Sequence, residues 1–143
     1  MKQGLGRVAL ACVAVSLLGA ASVARAADDE PAVPADNQDL RPRLVALREP
    51  DYPMNARSQG LEAKLVYRGV VEPTGVFDSF VLASCEVWKK GAKPDPTLRG
   101  QCSSFAVAAQ KALGQWLYTP ATKDGEPLAV YHTEAVHFRL PGR

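Results

Sequence analysis

The strongest constraint in this 143-residue chain is an apolar stripe near its end. Phe105, Ala108, Ala109, Ala112, Leu113 and Trp116 fall at i, i+3, i+4, i+7, i+8 and i+11, one face of a helix with a 3.6-residue period. Gln110, Lys111 and Gln115 lie off that face. The spacing predicts a helix from Phe105 that Pro120 stops, because proline has no N–H and its ring clashes with the preceding turn. Ser103 or Ser104 would cap its start through a hydroxyl. A helix this short is held by what its apolar face packs on. The alternating segments on either side of it predict a small antiparallel sheet.

Those segments are three. From Ala63 to Glu72, Leu65, Tyr67, Gly69 and Val71 share one face and Val66, Arg68 and Val70 the other. Both faces are partly apolar, which predicts a central strand. Gly69 within it predicts a bulge or a large neighbour packed over it. Glu72-Pro73-Thr74-Gly75 predicts a turn, and Val76 to Ser84 the returning strand, with Phe80 and Leu82 on one face. After the turn at Lys123-Asp124-Gly125-Glu126, residues 128–140 predict a long last strand. Val136, Phe138 and Leu140 would face one way, and Tyr131, Thr133, Ala135, His137 and Arg139 the other. Residues 86–101 read as a loop. A short helix at residues 52–57 begins with Pro53 in its first turn and ends at Gly60.

The amino terminus reads as an export signal. Lys2 and Arg7 precede an apolar run from Val8 to Val23, and Ala24-Arg25-Ala26 offers a small-x-small cleavage site. The run is about 16 residues, short of the roughly 20 that span a bilayer. The expected division is a signal peptide over residues 1–26, an acidic, proline-dotted tether over 27–50 ending in an extended arm, and one domain over 51–143. Fully extended, the tether reaches roughly 80 Å at about 3.3 Å per residue. Cleavage takes Lys2, Arg7 and Arg25 from 17 basic residues and leaves 14 against 15 acidic ones, a net charge of −1. No basic stripe remains for a nucleic acid. The expectation is an exported chain, working in the periplasm. An uncleaved apolar run, anchoring it in the inner membrane, is the alternative.

Cys85 and Cys102 remain after cleavage, since Cys12 lies in the apolar run. In an oxidising compartment the pair reads as a disulfide, with two separate buried thiols as the alternative. Such a bridge stabilises by roughly 3 kcal/mol on the chain-entropy account.

The order helix, hairpin, helix, strand carries a resemblance. Tyr52-Pro53 with Ala56, the run from Leu65-Val66-Tyr67 to Val71-Glu72-Pro73-Thr74-Gly75, Phe77-Asp78-Ser79-Phe80-Val81-Leu82, Trp116, Pro120-Ala121 and Val136-His137-Phe138-Arg139-Leu140 follow one another at spacings similar to the C-terminal domain of TonB-type energy transducers. The resemblance implies an α+β fold: a three-stranded antiparallel sheet with two helices packed on one face, in the order α-β-β-α-β. It also implies that the last strand is an edge, to which an outer-membrane receptor adds a short extended segment during transport. Tyr131, Thr133, Ala135, His137 and Arg139 would lie on that edge. The chain departs from the family in its cleavable leader, its short tether and its longer loop between the cysteines. A homodimer pairing through the same edge is the further alternative.

Other chemistry is poorly supported. His132 and His137 would point to opposite faces of a strand, and no C-x-x-C or H-x-x-x-H spacing predicts a metal site. Ser84, Ser103 and Ser104 lack a nucleophile motif. Asp78 and Glu134 are the one carboxylate pair worth placing. Trp88, Lys89 and Lys90 form an aromatic-basic cluster, readable as a partner patch or as an aromatic folded over the disulfide. The expectation is a non-enzymatic binding module for a protein or peptide partner, without cofactor.

Overall fold

The computed structural model describes residues 33–34 and 41–142. The expected signal peptide and residues 27–32 and 35–40 of the tether lie outside the described residues. In chain order the elements are β1 (Val33–Pro34), β2 (Arg43–Ala46), α1 (Met54–Ser58), β3 (Leu61–Val71), β4 (Phe77–Lys89), a 3-10 helix (Pro96–Gln101), α2 (Cys102–Leu113), β5 (Leu117–Thr119), β6 (Ala121–Lys123), β7 (Glu126–Leu128) and β8 (Val130–Phe138).

The fold is α+β, with two α-helices against antiparallel sheet. β3 is central, as its two-faced apolar pattern predicts. It pairs antiparallel with β4 on one side and β8 on the other. Alternation along β3 sends Leu61, Ala63, Leu65, Tyr67 and Val71 into the core. Phe77 and Val87 of β4 and Val130, Val136 and Phe138 of β8 join them. Ala56 of α1 and Phe105, Ala109, Ala112 and Leu113 of α2 close over that face. The sheet's other face is open to solvent.

Gly69 is where β4 comes closest. A Cβ there would lie 2.7 Å from Phe80 Cβ and 2.8 Å from the Asp78 carbonyl oxygen. The ladder shifts register between Arg68 and Val70, and Ser79 takes a positive φ of 50°. That extra residue turns both Phe77 and Phe80 coreward, where their rings stack 5.2 Å apart. The strand thus has both the bulge and the large neighbour that the glycine predicts.

Several expectations need correction. The sheet is not three-stranded alone: β1 adds a two-residue parallel strand outside β8, and two further two-stranded sheets pair β2 with β5 and β6 with β7. Helix α2 ends at Leu113, seven residues before Pro120. Gly114 caps it, and the Trp116 N–H bonds to the Leu113 carbonyl. Trp116 stays on the stripe's side because the turn brings it back to the core, where it is 4% exposed. Neither serine caps α2, which continues from the 3-10 helix through Gln101; Asp95 caps that helix by accepting from the Thr97 N–H.

Strand β4 runs on to Lys89, so residues 86–89 are strand and not loop. Val87 keeps the alternation and opposes Ala63 on β3. The charged neighbours Glu86 and Lys89 obscure that pattern in the sequence. Cys85 therefore lies inside a strand, and its disulfide to Cys102, with Cα atoms 6.2 Å apart, ties β4 to the first residue of α2. The last strand is divided at Ala129 into β7, a hairpin partner of β6, and β8. Asp124 and Gly125 supply the positive φ angles of that hairpin's turn.

Candidate functional site

The two flanks of the β3-centred sheet are unlike. β8 meets β3 without a register shift, from Val71 opposite Val130 to Ala63 opposite Phe138. Among the described residues, its outer side carries only β1, which pairs Val33 with Val130 and Pro34 with Tyr131. Successive residues of an antiparallel strand turn their N–H and C=O alternately toward the neighbour and away from it. Leu140 donates its N–H toward β3, to Glu62 Oε1 at 2.9 Å. Even-numbered residues of β8 thus face inward. Thr133, Ala135 and His137 direct their backbone groups outward.

One outward donor is occupied from within. Glu134 Oε1 accepts the Ala135 N–H at 3.0 Å. Its other oxygen, Oε2, accepts the Tyr118 hydroxyl at 2.8 Å and lies 3.2 Å from His132 Nε2. Burial pushes the Glu134 carboxyl up, but the hydrogen bonds from His132, Tyr118 and the Ala135 N–H outweigh it and hold the group below its ordinary range. Burial, then the Glu134 contact, pushes the Tyr118 hydroxyl well up. His132 also meets the rings of Phe77 and Tyr118 edge-on.

Alongside the edge runs a groove of about 420 Å³, within the range of about 300–1,000 Å³ typical of ligand sites. Leu47, Glu49, Pro50, Tyr52 and Trp116 line it on the helix side, and residues 135–139 form its other wall. The arm before α1 is fixed in place by two attachments. Residues of β2 pair with β5, and the Trp116 indole N–H donates to the Arg48 carbonyl at 2.7 Å. Tyr52 packs edge-on to both Phe105 and Phe138, and its hydroxyl donates to the Leu61 carbonyl.

Tyr131, Thr133, Ala135 and His137 lie on one strand face, turned to the open side, and Arg139 follows just beyond the strand. Burial first, then Arg139 and Lys64, push the His137 ring below its ordinary value. Lys64 stands directly opposite His137 on β3. His132 and His137 lie on opposite faces. Asp78 and Glu134 are not brought together: Asp78 opposes Val70 on the open face, and Glu134 turns coreward on the far flank of β3.

Trp88 and Lys89 are strand residues, and none of Trp88, Lys89 and Lys90 lines the groove. The Trp88 indole N–H donates to Glu62 Oε2 at 2.9 Å, and Lys90 Nζ donates to the Pro141 carbonyl. Trp88 therefore covers Glu62 and not the disulfide. Among the described residues, no three His, Cys, Asp or Glu side chains converge as a metal site would require. No helix among them is long and apolar enough to cross a membrane.

The sequence offers no direct sign of the Glu134 hydrogen-bond cluster and only one of the groove's helix-side wall. The signal for the wall is the run Leu44-Val45-Ala46-Leu47 ahead of Pro50, a strand-like patch inside an otherwise polar segment.

Compared with known proteins, the sequence matches no family profile and no curated protein. In three dimensions the chain is similar to solved structures. One is the solution NMR structure of the Pseudomonas aeruginosa TonB C-terminal domain, with a TM-score of 0.50 and 18% sequence identity, covering 76% of this chain and 94% of that one. At that identity the likeness shows a shared fold, that of a TonB C-terminal domain.

Proposed function

We propose that the domain is a binding module that takes an extended segment of a protein partner as an added strand along the outer edge of β8. The observation that carries this reading is the unshifted edge at residues 133–139 with a groove beside it. Outward N–H and C=O groups supply affinity to any extended chain, and alternating side chains select among chains. Thr133, Ala135, His137 and Arg139 meet the partner; Tyr131, beside Pro34, marks where the free edge begins.

In this reading the module works in the periplasm, which the expected export signal at residues 1–26 and the TonB-like fold support. The segment read as a tether, residues 27–50 with its extended arm, precedes the domain, and a segment of an outer-membrane receptor is the partner. The experiment is an NMR titration of the mature protein with receptor-derived extended peptides. Amide shifts confined to residues 130–139 and the groove support the reading. Their absence removes it.

A further inference from the structure

The side chains beside the β8 edge differ between its two faces, and an added strand meets both. Successive side chains of a strand point to opposite faces. A partner residue opposite Val136 or Phe138 sends its side chain to the helix side, into the groove. Its immediate neighbour, opposite His137, sends its side chain to the open face.

The groove is apolar at Leu47, Pro50, Tyr52 and Trp116, and carries one acid, Glu49. Leu47 is 57% exposed, an apolar side chain left facing the gap. The groove's volume of about 420 Å³ admits a bulky apolar side chain; Glu49 is its one acid, and His137 and Arg139 belong to its β8 wall.

The open face offers the reverse. Lys64 lies across from His137 and Arg139 two residues beyond it, and both act electrostatically on the His137 ring. Among the described residues neither Lys64 nor Arg139 is in an ion pair. Two acids share that face: Glu62, whose oxygens are both engaged, by the Trp88 indole and the Leu140 N–H, and Glu86, which stands opposite Lys64 on β4 without forming an ion pair with it. Positive charge at this spot is left for an outside partner.

We infer that the β8 edge recognises a two-residue signature in the added strand: a bulky apolar residue immediately next to an acidic one. The apolar side chain fills the groove, and the acidic one meets Lys64, His137 and Arg139. This inference rests on strand addition at β8 and adds the chemistry of the partner.

The test uses fluorescein-labelled synthetic peptides on one Val/Thr frame, carrying Phe-Glu, Phe-Gln, Gly-Glu or Gly-Gln at the central pair. Anisotropy measures affinity for the mature protein, and amide spectra report the edge. The Phe-Glu peptide binds about tenfold tighter than either single replacement. Lys64→Gln with Arg139→Gln removes the preference for Glu over Gln and keeps that for Phe. Leu47→Ser, at an exposed position, weakens the preference for Phe over Gly and keeps that for Glu. Equal affinity for all peptides, with equal shifts at residues 133–139, overturns the inference and leaves strand addition standing. No edge shifts with any peptide overturn both.

Discussion

The two flanks of the β3-centred sheet face solvent with opposite preparation. β4 is the longer strand, yet it is unsuited to accept another chain. Its register shifts twice against β3, and Ser79 sits at positive φ in the first bulge. Its far half is covered: the Asp95 N–H bonds to the Val87 carbonyl, and the disulfide fastens the 3-10 helix and α2 alongside. β8 has none of this. It is regular, it is opposed outwardly by only two residues of β1 among those described, and a groove follows it. Bulges and covering segments are the ordinary means by which proteins disable a sheet edge. Their presence on one flank makes their absence on the other informative.

The largest effect comes from removing the cover on β4. Cys85→Ser with Cys102→Ser lowers stability by about 3 kcal/mol in urea titration. Amide exchange then accelerates along residues 85–89 and 95–104 more than along β8. Equal acceleration on both flanks breaks the comparison.

Next is the bulge itself. Gly69→Ala places a Cβ against Phe80 Cβ and the Asp78 carbonyl, both closer than 3 Å. β4 must move away, at a cost of about 2 kcal/mol by denaturant unfolding. Peptide affinity at β8 stays unchanged, since that ladder does not share the contact.

Third, Thr133→Pro removes an outward N–H. The ladder to β3 does not use that donor, so proline costs about 1 kcal/mol of stability, while strand addition at β8 is lost in the binding titration. Glu134→Pro, which removes an inward N–H, costs more than Thr133→Pro by the same unfolding measurement. Similar costs at the two sites contradict the assigned parity.

The smallest effect is at Glu134. Its folded carboxyl lies below the ordinary value of 4.5, so its stabilisation is complete above that value and lost as pH falls through the lower folded value. Glu134→Gln lowers stability at neutral pH by about 1 kcal/mol. The gap between variant and parent closes as pH falls through the lowered folded value of Glu134. Because the carboxylate also occupies the Ala135 N–H, the variant binds extended peptides slightly more tightly in the same anisotropy assay.

The elements that proved legible in the sequence are those decided by neighbours in the chain. The stripe from Phe105 predicts α2, and alternation from Ala63 predicts β3, with Gly69 marking the bulge. Elements decided by distant residues were not legible. Trp116 extends the helical period by coincidence after a turn, so helix and turn read as one. Glu86 and Lys89 hide the end of β4, which is strand because Leu61–Leu65 of β3 pair with it. The groove joins Leu47 to Phe138, and the Glu134 cluster joins β5 to β8. Both are products of packing with no local period to announce them. What sequence does reveal of the site is its outward alternation, Tyr131 through Arg139, and its regularity: no glycine or proline interrupts residues 130–139.

Hydrogen exchange of the protein lacking residues 1–26, free and with a saturating extended peptide, tests the central claim most directly. In the free protein the Thr133 and His137 amides exchange fast, and the even-numbered amides of β8 are protected by β3. On binding, Thr133 and His137 become protected and β4 is unchanged. Protection gained along residues 78–84 of β4, or none at Thr133 and His137, contradicts the account.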